Sequence, residues 1–250
     1  MNDNDLLRYS RQIMLPQLDL VGQERLLAAR VLVVGLGGLG CPLAMYLAAA
    51  GVGHLTLADA DKVDLSNLQR QIAHFTPAIG SSKVSSIRQT LGLLNPGINV
   101  RGLEERLQGT RLEEEVANHD VVVDASDNFS TRFAINRACV RQRVPLVSGA
   151  AIRMEGQLSV FDSRVAHSPC YACLHPEGQD IDLSCSENGV LAPLVGIIGS
   201  MQAVETIKLI AGLGRTLCGR LLLVDVQTME IRELRLARDP QCPVCRDSVG

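Results

Sequence analysis

Two pairs of cysteines and a glycine-rich turn are the residues of this sequence whose types and spacing could do chemistry. Cys170 and Cys173 form one CxxC pair, and Cys242 and Cys245 form the second. A CxxC spacing places two thiolates on one turn, within reach of a tetrahedral metal ion at about 2.3 Å. Two pairs supply four ligands and leave no position for water. The spacing therefore predicts a structural zinc site that ties the C-terminal part of the chain to its body.

The glycine-rich turn follows a short apolar run at residues 31–34. Gly35, Gly37 and Gly40 match the pattern GxGxxG. Glycines let backbone N–H groups approach a phosphate, whose charge the following helix N-terminus favours. Asp59 ends the next apolar run, where a carboxylate can accept hydrogen bonds from ribose hydroxyls. The pattern predicts a nucleotide site; the alternative is a turn that only packs a strand against a helix.

The turn does not distinguish NAD from ATP, but the residues that follow it bear on the choice. Arg70 and Lys83 come soon after the predicted ribose carboxylate. Cations so close to a nucleotide site suit a triphosphate, which carries more charge than a dinucleotide. Each of them taken alone is more often a solvated surface charge than a ligand contact.

An acidic residue also follows a predicted strand farther along the chain. Asp127 and Asn128 follow residues 121–124 after Ala125 and Ser126. Ligands of open α/β sheets lie beyond the carboxyl ends of the strands, and an aspartate there can hold Mg²⁺ against phosphate oxygens. The alternative is that Asp127 or Ser126 caps the next helix. Position alone leaves the two readings open.

Alternating strands and helices are predicted to position these residues. The alternation up to Ala150 implies a parallel sheet, whereas the later strands pair like an antiparallel hairpin. We therefore predict an α/β, Rossmann-like fold with a largely parallel mixed sheet flanked by helices and a zinc-pinned C-terminal extension. The chain is predicted to be one domain (1–250), with a nucleotide-binding half (1–150) and an antiparallel, zinc-binding half (151–250). Predicted strands are 31–34, 55–58, 99–103, 121–124, 145–148, 157–161, 221–225 and 230–236; predicted helices are 5–28, 41–50, 83–94, 111–117, 128–141 and 193–211.

Composition limits the partners and the compartment. A net charge of −3 gives no reason to propose a nucleic acid or an anionic membrane. Residues 31–53 are uncharged and long enough to span a membrane, but they contain six glycines and Pro42, so they are interpreted as a buried strand and helix. The first residues lack the basic start of a secretory signal. Eight cysteines in an unsecreted chain favour thiols and metal over disulfides, as in a cytoplasmic protein.

In the order of its motifs the sequence resembles the adenylating enzymes that activate ubiquitin-like sulfur carriers. The resemblance covers nearly the whole chain. Each motif is weak alone, and their shared order makes the match strong. The motifs are residues 8–12 (RYSRQ), the glycine turn, Asp59, residues 66–71 (SNLQRQ), Lys83, Asp127 with Asn128, residues 149–151 (GAA) and both cysteine pairs.

The resemblance implies a homodimer that uses ATP, Mg²⁺ and structural Zn²⁺. The carboxylate of the carrier's terminal glycine attacks the α-phosphorus of ATP, pyrophosphate leaves, and an acyl-adenylate forms. By this analogy the nucleotide lies against Gly38 and Asn128, and Asp59 holds the ribose. The catalytic residues are Arg11 (from the other protomer), Arg70, Lys83 and Asp127; Asn67, Arg70 and Lys83 hold phosphates, and Asp127 positions Mg²⁺.

The carrier implied by the resemblance ends in Gly-Gly and is the small subunit of molybdopterin synthase, with the thiamine-pathway carrier as the alternative. The chain ends five residues after Cys245, without the sulfurtransferase domain that some relatives append, so sulfur is expected from a separate protein. Some relatives bond the carrier through a cysteine near Cys185, which is expected to be dispensable for adenylation. Two other interpretations remain: an NAD-dependent oxidoreductase and a scaffold without catalysis.

Overall fold

The computed structural model describes residues 1–176 and 189–246. In this part of the chain eight strands form one mixed sheet, in the order β3-β2-β1-β4-β5-β6-β7-β8. The strands are β1 (Arg30–Val34), β2 (His54–Ala58), β3 (Asn99–Leu103), β4 (Val121–Asp124), β5 (Leu146–Ile152), β6 (Glu155–Phe161), β7 (Arg220–Asp225) and β8 (Glu230–Arg235). The helices are α1 (Asp3–Arg8), α2 (Ser10–Ile13), α3 (Asp19–Ala28), α4 (Gly40–Ala50), α5 (Lys83–Leu94), α6 (Gly109–Ala117), α7 (Phe129–Gln142), α8 (Tyr171–Leu174) and α9 (Ala192–Ala211).

The strand order reverses beside β1, and this reversal positions the site. Strands β1 to β5 are parallel, with β1 paired to β2 on one side and to β4 on the other. The crossover helices cover both faces, so the central strands carry buried apolar residues on both faces. In sheets of this kind a crevice opens at the carboxyl ends of the strands where the order reverses. The residues that follow β1, β2 and β4 therefore converge on one cleft.

The second half of the sheet is antiparallel, because β6, β7 and β8 each pair antiparallel to the strand before them in the sheet. Helix α9 packs against α3, α4, β5 and β6. By length and composition it is the one described helix that could cross a membrane, yet half of its apolar window is buried within the protein. These contacts account for its apolar sequence as that of a core helix. The predicted fold class is confirmed.

The structure differs from the sequence prediction mainly at irregular positions. Residues 5–28 lie in three helices and not one. Pro16 accounts for the break between α2 and α3, because a proline disfavours helical backbone at the preceding residue. Residues 61–78 contain two 3₁₀ turns, Leu65–Asn67 and Thr76–Ala78. The strand predicted to start at residues 145–148 is β5, which continues to Ile152 because β6 folds back along its whole length.

Candidate functional site

The glycine turn between β1 and α4 is shaped by close contacts and by open space. Gly35 has a φ of +93°, and a Cβ there would lie 2.6 Å from the backbone oxygen of Ala125. Only glycine fits this position. Gly37 faces the cleft instead: among the described residues, an added Cβ would meet only the amide nitrogen of Gln71, at 3.6 Å. The turn therefore does more than pack a strand against a helix, because it leaves room above its own backbone.

Asp59 stands beside this turn at the end of β2. Its carboxylate accepts hydrogen bonds from the backbone N–H groups of Leu36, at 2.7 Å, and Asp61, at 2.8 Å. Burial raises the pKa of Asp59, and the nearby ammonium of Lys83 opposes that rise. The side chain is therefore fixed against the turn, with acceptor positions left for a ligand hydroxyl.

Lys83 brings a buried cation to the same cleft. It is the first residue of α5, which the hydroxyl of Ser82 caps by accepting the N–H of Ser85. The Lys83 side chain is only 7% exposed. Its Nζ lies 2.8 Å from a carboxylate oxygen of Asp61 and 4.0 Å from one of Asp59. The helix start thus holds a desolvated ammonium next to the candidate ribose carboxylate.

Arg70 is the second cation that lines the cleft. Its guanidinium donates to the backbone oxygen of Ser66, at 3.2 Å, and to the amide oxygen of Asn67, at 3.0 Å. Asn67 itself does not line the cleft, and its amide oxygen is bound to Arg70. In this structure Asn67 orients Arg70; its predicted contact with phosphate stays a prediction.

The loop after β4 supplies an exposed carboxylate. Asn128 is the residue that caps α7, because its amide oxygen accepts the N–H of Thr131 at 2.9 Å. The alternative reading of Asp127 or Ser126 as the helix cap is therefore wrong: the Ser126 hydroxyl donates to Asp124 at 2.6 Å. Asp127 is exposed and lines the cleft, where its carboxylate could hold a divalent cation.

The structure brings most of the predicted nucleotide site together. Arg11 lies elsewhere: it is exposed and lines a groove with Tyr46 of α4 and with Ser200 and Val204 of α9. Its role in the cleft of another protomer stays a prediction. The predicted residues that line the cleft are Gly38, Asp59, Arg70, Lys83, Asp127 and Asn128.

Sequence reasoning gave no role to two buried polar residues behind the glycine turn, Gln71 and His74. The Nε2 of His74 lies 3.0 Å from the backbone oxygen of Leu36, and its Nδ1 lies 2.9 Å from the hydroxyl of Ser86. Because a carbonyl oxygen can only accept, Nε2 carries the proton and Nδ1 accepts from Ser86. Burial lowers the pKa of His74, which keeps the ring neutral. No periodicity in the sequence marks either residue as buried.

This arrangement predicts how the protein responds to acid. The pKa of His74 is lowered in the folded state, so its contribution to the free energy of unfolding is present above about pH 6.5 and is lost as the pH falls below that value. His74→Gln retains an N–H that can reach Leu36 but cannot titrate. We expect the thermal unfolding midpoint of this variant to fall less steeply between pH 7 and pH 5 than that of the wild type. Equal slopes would contradict the role given to His74.

The four predicted zinc ligands form one cluster. The sulfur atoms of Cys170, Cys173, Cys242 and Cys245 all lie within 4.8 Å of one another, and the cluster is the only such group of potential ligands among the described residues. Three of the separations are 3.5, 3.6 and 4.0 Å. A tetrahedral ion bound at about 2.3 Å by four sulfurs would place them about 3.8 Å apart. The donor set and its spacing therefore fit Zn²⁺.

The surroundings of the cluster also suit thiolate ligands. Cys173 accepts from the Cys170 thiol and from the backbone N–H groups of Cys170 and Asp239, and these contacts lower its pKa. The side-chain amide of Asn136, on α7, donates to the sulfur of Cys170 at 3.5 Å. Through these contacts the segment after β8 is joined to α7 and α8. Cys185 lies outside the described residues.

Comparison with known proteins places this site in a family. The model of the "ThiF family" matches residues 9–244. The chain belongs to the ThiF family. It is 49% identical over 245 residues to a "Molybdopterin-synthase adenylyltransferase" of Salmonella typhimurium, covering 98% of both chains. It is 47% identical over 248 residues to the "Sulfur carrier protein ThiS adenylyltransferase" of Escherichia coli, covering 99% of this chain and 98% of that protein.

A solved structure supports the fold of this ThiF family member. The crystal structure of Escherichia coli MccB with ATP superimposes with a TM-score of 0.83 at 22% identity, covering 96% of this chain and 75% of that one. At this identity the likeness concerns the fold. The resemblance predicted from the sequence is confirmed, and so is the enzyme class, because the named ThiF relatives are adenylyltransferases.

Proposed function

We propose that this protein adenylates the C-terminal glycine of a ubiquitin-like sulfur carrier, converting ATP to an acyl-adenylate and pyrophosphate. The observation that carries the proposal is the cleft itself. In a ThiF family chain, Asp59, Arg70, Lys83 and Asp127 surround a glycine turn with open space above Gly37. These groups suit a ribose, a polyphosphate and its cation.

The chemistry needs positioning and charge more than acid–base catalysis. A carboxylate oxygen of the carrier forms a bond to the α-phosphorus, and the bond from that phosphorus to the bridging oxygen breaks, so pyrophosphate leaves with the electron pair. The carboxylate is ionised at neutral pH, so no general base is required. The barrier comes from bringing two anions together and from the charge on the leaving group. Arg70 and Lys83 offset that charge.

Asp127 is the residue proposed to hold Mg²⁺ in the cleft. Its carboxylate is exposed, and the helix cap beside it is made by Asn128. When bound, Mg²⁺ would supply positive charge to the phosphate oxygens. Asp127 would orient that charge from the loop after β4, on the opposite side of β1 from Asp59 and Lys83.

Replacement of Asp127 tests this role. We expect Asp127→Asn to lower the rate of ATP–pyrophosphate exchange by roughly a hundredfold, the scale of removing one stabilising group from a charged transition state. Binding of the carrier, measured by calorimetry, should change little. Asp3→Asn, an exposed change in α1 outside the cleft, is the matched control. Wild-type exchange by Asp127→Asn at saturating Mg²⁺ would remove Asp127 from the site.

Carrier-dependent exchange of labelled pyrophosphate into ATP tests the function as a whole. We propose the small subunit of molybdopterin synthase as the carrier, with the thiamine-pathway carrier as the alternative, since relatives named for both pathways are similar to this chain. Each carrier from the same source is assayed side by side. No exchange with any carrier ending in Gly-Gly would reject the proposal. Tight binding of NAD without binding of ATP would favour an oxidoreductase instead.

A second copy of the chain is proposed to complete the site. In the groove that holds Arg11, Tyr46 is 58% exposed and Val204 is 54% exposed. Such apolar exposure on facing helices suits coverage by another protein surface. A second copy there would carry Arg11 toward a neighbouring cleft. Sulfur would come from a separate protein, and the free thiols fit a cytoplasmic setting.

Mixing two inactive variants tests the trans role of Arg11. Arg11→Ala and Lys83→Ala are each expected to lose exchange activity. If Arg11 serves the partner's cleft, a mixed dimer combines an intact Arg11 with an intact Lys83 in one of its sites. Exchange should then recover after the proteins are mixed and allowed to reassociate. No recovery, in a preparation shown by sedimentation to contain mixed dimers, would reject the action of Arg11 in the partner's cleft.

A further inference from the structure

Gln71 is a buried residue whose side-chain oxygen has no hydrogen-bond partner among the described residues. The residue is 3% exposed and lines the cleft. Its Oε1 is fully buried and accepts no hydrogen bond from the described residues. Its Nε2 lies 3.6 Å from the position that a Cβ on Gly37 would occupy. The amide therefore sits beside the open space above the glycine turn.

An unpartnered amide is an unfavourable choice for a purely structural position. Buried polar groups in folded proteins are almost always hydrogen-bonded, and one without a partner loses its hydration without compensation. An apolar side chain of similar length would fill the same volume at lower cost. Gln202 provides the contrast: it is also buried with an unpartnered Oε1, but its Nε2 donates to the backbone oxygen of Asp124 at 2.8 Å. Gln202 has a structural task that Gln71 lacks.

We propose that Gln71 is a substrate-binding residue whose amide N–H donates to a phosphate oxygen held above Gly37. This inference rests on the proposed use of ATP. The N-terminus of α4 and the neighbouring Arg70 make the space above Gly37 favourable for an anion. Arg70 and Lys83 supply charge there, whereas Gln71 supplies a neutral, directional donor that fixes where the oxygen lies.

Gln71→Met separates a ligand-binding role from a structural one. Methionine keeps the length of the side chain and removes the amide. We expect the unfolding midpoint of the ligand-free variant to equal or exceed that of the wild type. The rise in that midpoint on adding ATP should shrink, and the KM for ATP in carrier-dependent exchange should increase about ten- to a hundredfold, as for loss of a hydrogen bond to a charged group. If the contact is the same in the ground and transition states, kcat is unchanged.

Two further variants complete the design. Gln71→Glu keeps the shape but offers a carboxylate to phosphate, so its KM for ATP should rise more than that of Gln71→Met. Gln202→Met loses a hydrogen bond to Asp124, so it should lower the midpoint of the ligand-free protein while leaving the KM for ATP unchanged. If Gln202→Met does not fold, Gln23→Met replaces it, since the buried amide of Gln23 donates to the backbone oxygen of Ala50.

The outcomes separate this inference from the proposed function. A wild-type KM and a wild-type response to ATP in Gln71→Met would overturn the inference, and so would a drop in the ligand-free midpoint without a change in KM. If the wild type is stabilised by ATP but exchanges with no carrier, the proposed reaction fails, and a smaller ATP response in Gln71→Met would still support the phosphate contact. If ATP does not stabilise the wild type, both fail.

Discussion

Replacing Lys83 with methionine is expected to slow carrier-dependent pyrophosphate exchange by about a thousandfold while the protein stays folded. The Nζ of Lys83 is the cation nearest to the candidate ribose carboxylate, and its side chain is 7% exposed. Two unit charges 4 Å apart interact by about 4 kcal/mol at an effective dielectric constant of 20. If the ammonium of Lys83 lies this close to the charge on the leaving pyrophosphate, losing the interaction lowers the rate by roughly three orders of magnitude.

The folded state should tolerate this change because methionine retains most of the buried aliphatic stem of Lys83. The ion pair with Asp61 involves a carboxylate that is 65% exposed, so its loss costs little. Loss of the ammonium also removes the group that opposes the raised pKa of Asp59, so the pKa of Asp59 should rise further. Binding of the ribose should then weaken at mildly acidic pH.

Exposed Lys62 provides the matched control for Lys83. Its backbone forms an antiparallel bridge with Ser82, the residue before Lys83, and its side chain is exposed. Lys62→Met should exchange pyrophosphate at the wild-type rate, whereas Arg70→Ala should lose activity on a scale similar to Lys83→Met. Thermal unfolding of each variant verifies that it is folded. Normal turnover by Lys83→Met would remove the cationic cleft from the mechanism.

Loss of the zinc site is the second large effect we expect. Cys242 is fully buried among the other three sulfurs, and Cys242→Ser replaces a strong zinc ligand with a weak one. Structural zinc can contribute on the order of 10 kcal/mol to folding. That is comparable to the whole stability of a typical domain, about 5 to 15 kcal/mol. The segment after β8 should therefore detach from α7 and α8, and the unfolding midpoint should fall steeply or the protein should aggregate.

Metal content and a second cysteine variant check this expectation. Mass spectrometry of the native wild type should find about one zinc per chain, released together with the loss of the folded state when a strong chelator is added. Cys218→Ser is the control, because its sulfur contacts the hydroxyl of Ser168 and is not part of the cluster. A wild-type protein with well under one zinc per chain, whose stability a chelator does not change, would contradict the assignment.

The parts of the site that could be predicted from sequence depend on local patterns. A glycine pattern after an apolar run fixes a turn at a strand end, and Asp59 follows the next strand by the same logic. The cysteine pairs are equally local, because the CxxC spacing sets the separation of two sulfurs. The parallel order of the first five strands follows from alternating strands and helices. These features needed no knowledge of which distant residues touch.

The rest depends on packing between distant parts of the chain. Whether Asp127 or Asn128 caps α7 is decided by the exact start of the helix, which sequence leaves uncertain by a residue or two. His74 and Gln71 lie in an irregular segment: His74 is buried between α5 and the glycine turn, and Gln71 lies beside Gly37. Arg11 lies in a polar stretch of sequence (residues 8–12), but its position beside α9 is set by the tertiary fold.

Helix α9 belongs to the second half of the sequence, yet it packs against α3 and α4 of the first half. A Cβ on Gly38 would lie 2.7 Å from Val195, and one on Gly199 would lie 2.3 Å from the backbone oxygen of Leu39. If residues 1–150 and 151–250 were made as separate polypeptides, each would expose to solvent the apolar surface that the other covers in the intact protein. We expect neither fragment to accumulate alone in a bacterial host, and both to be rescued by co-expression. The two halves of the chain would thus not fold as independent domains, because both the glycine turn and the strands of the second half pack against the same helix, α9.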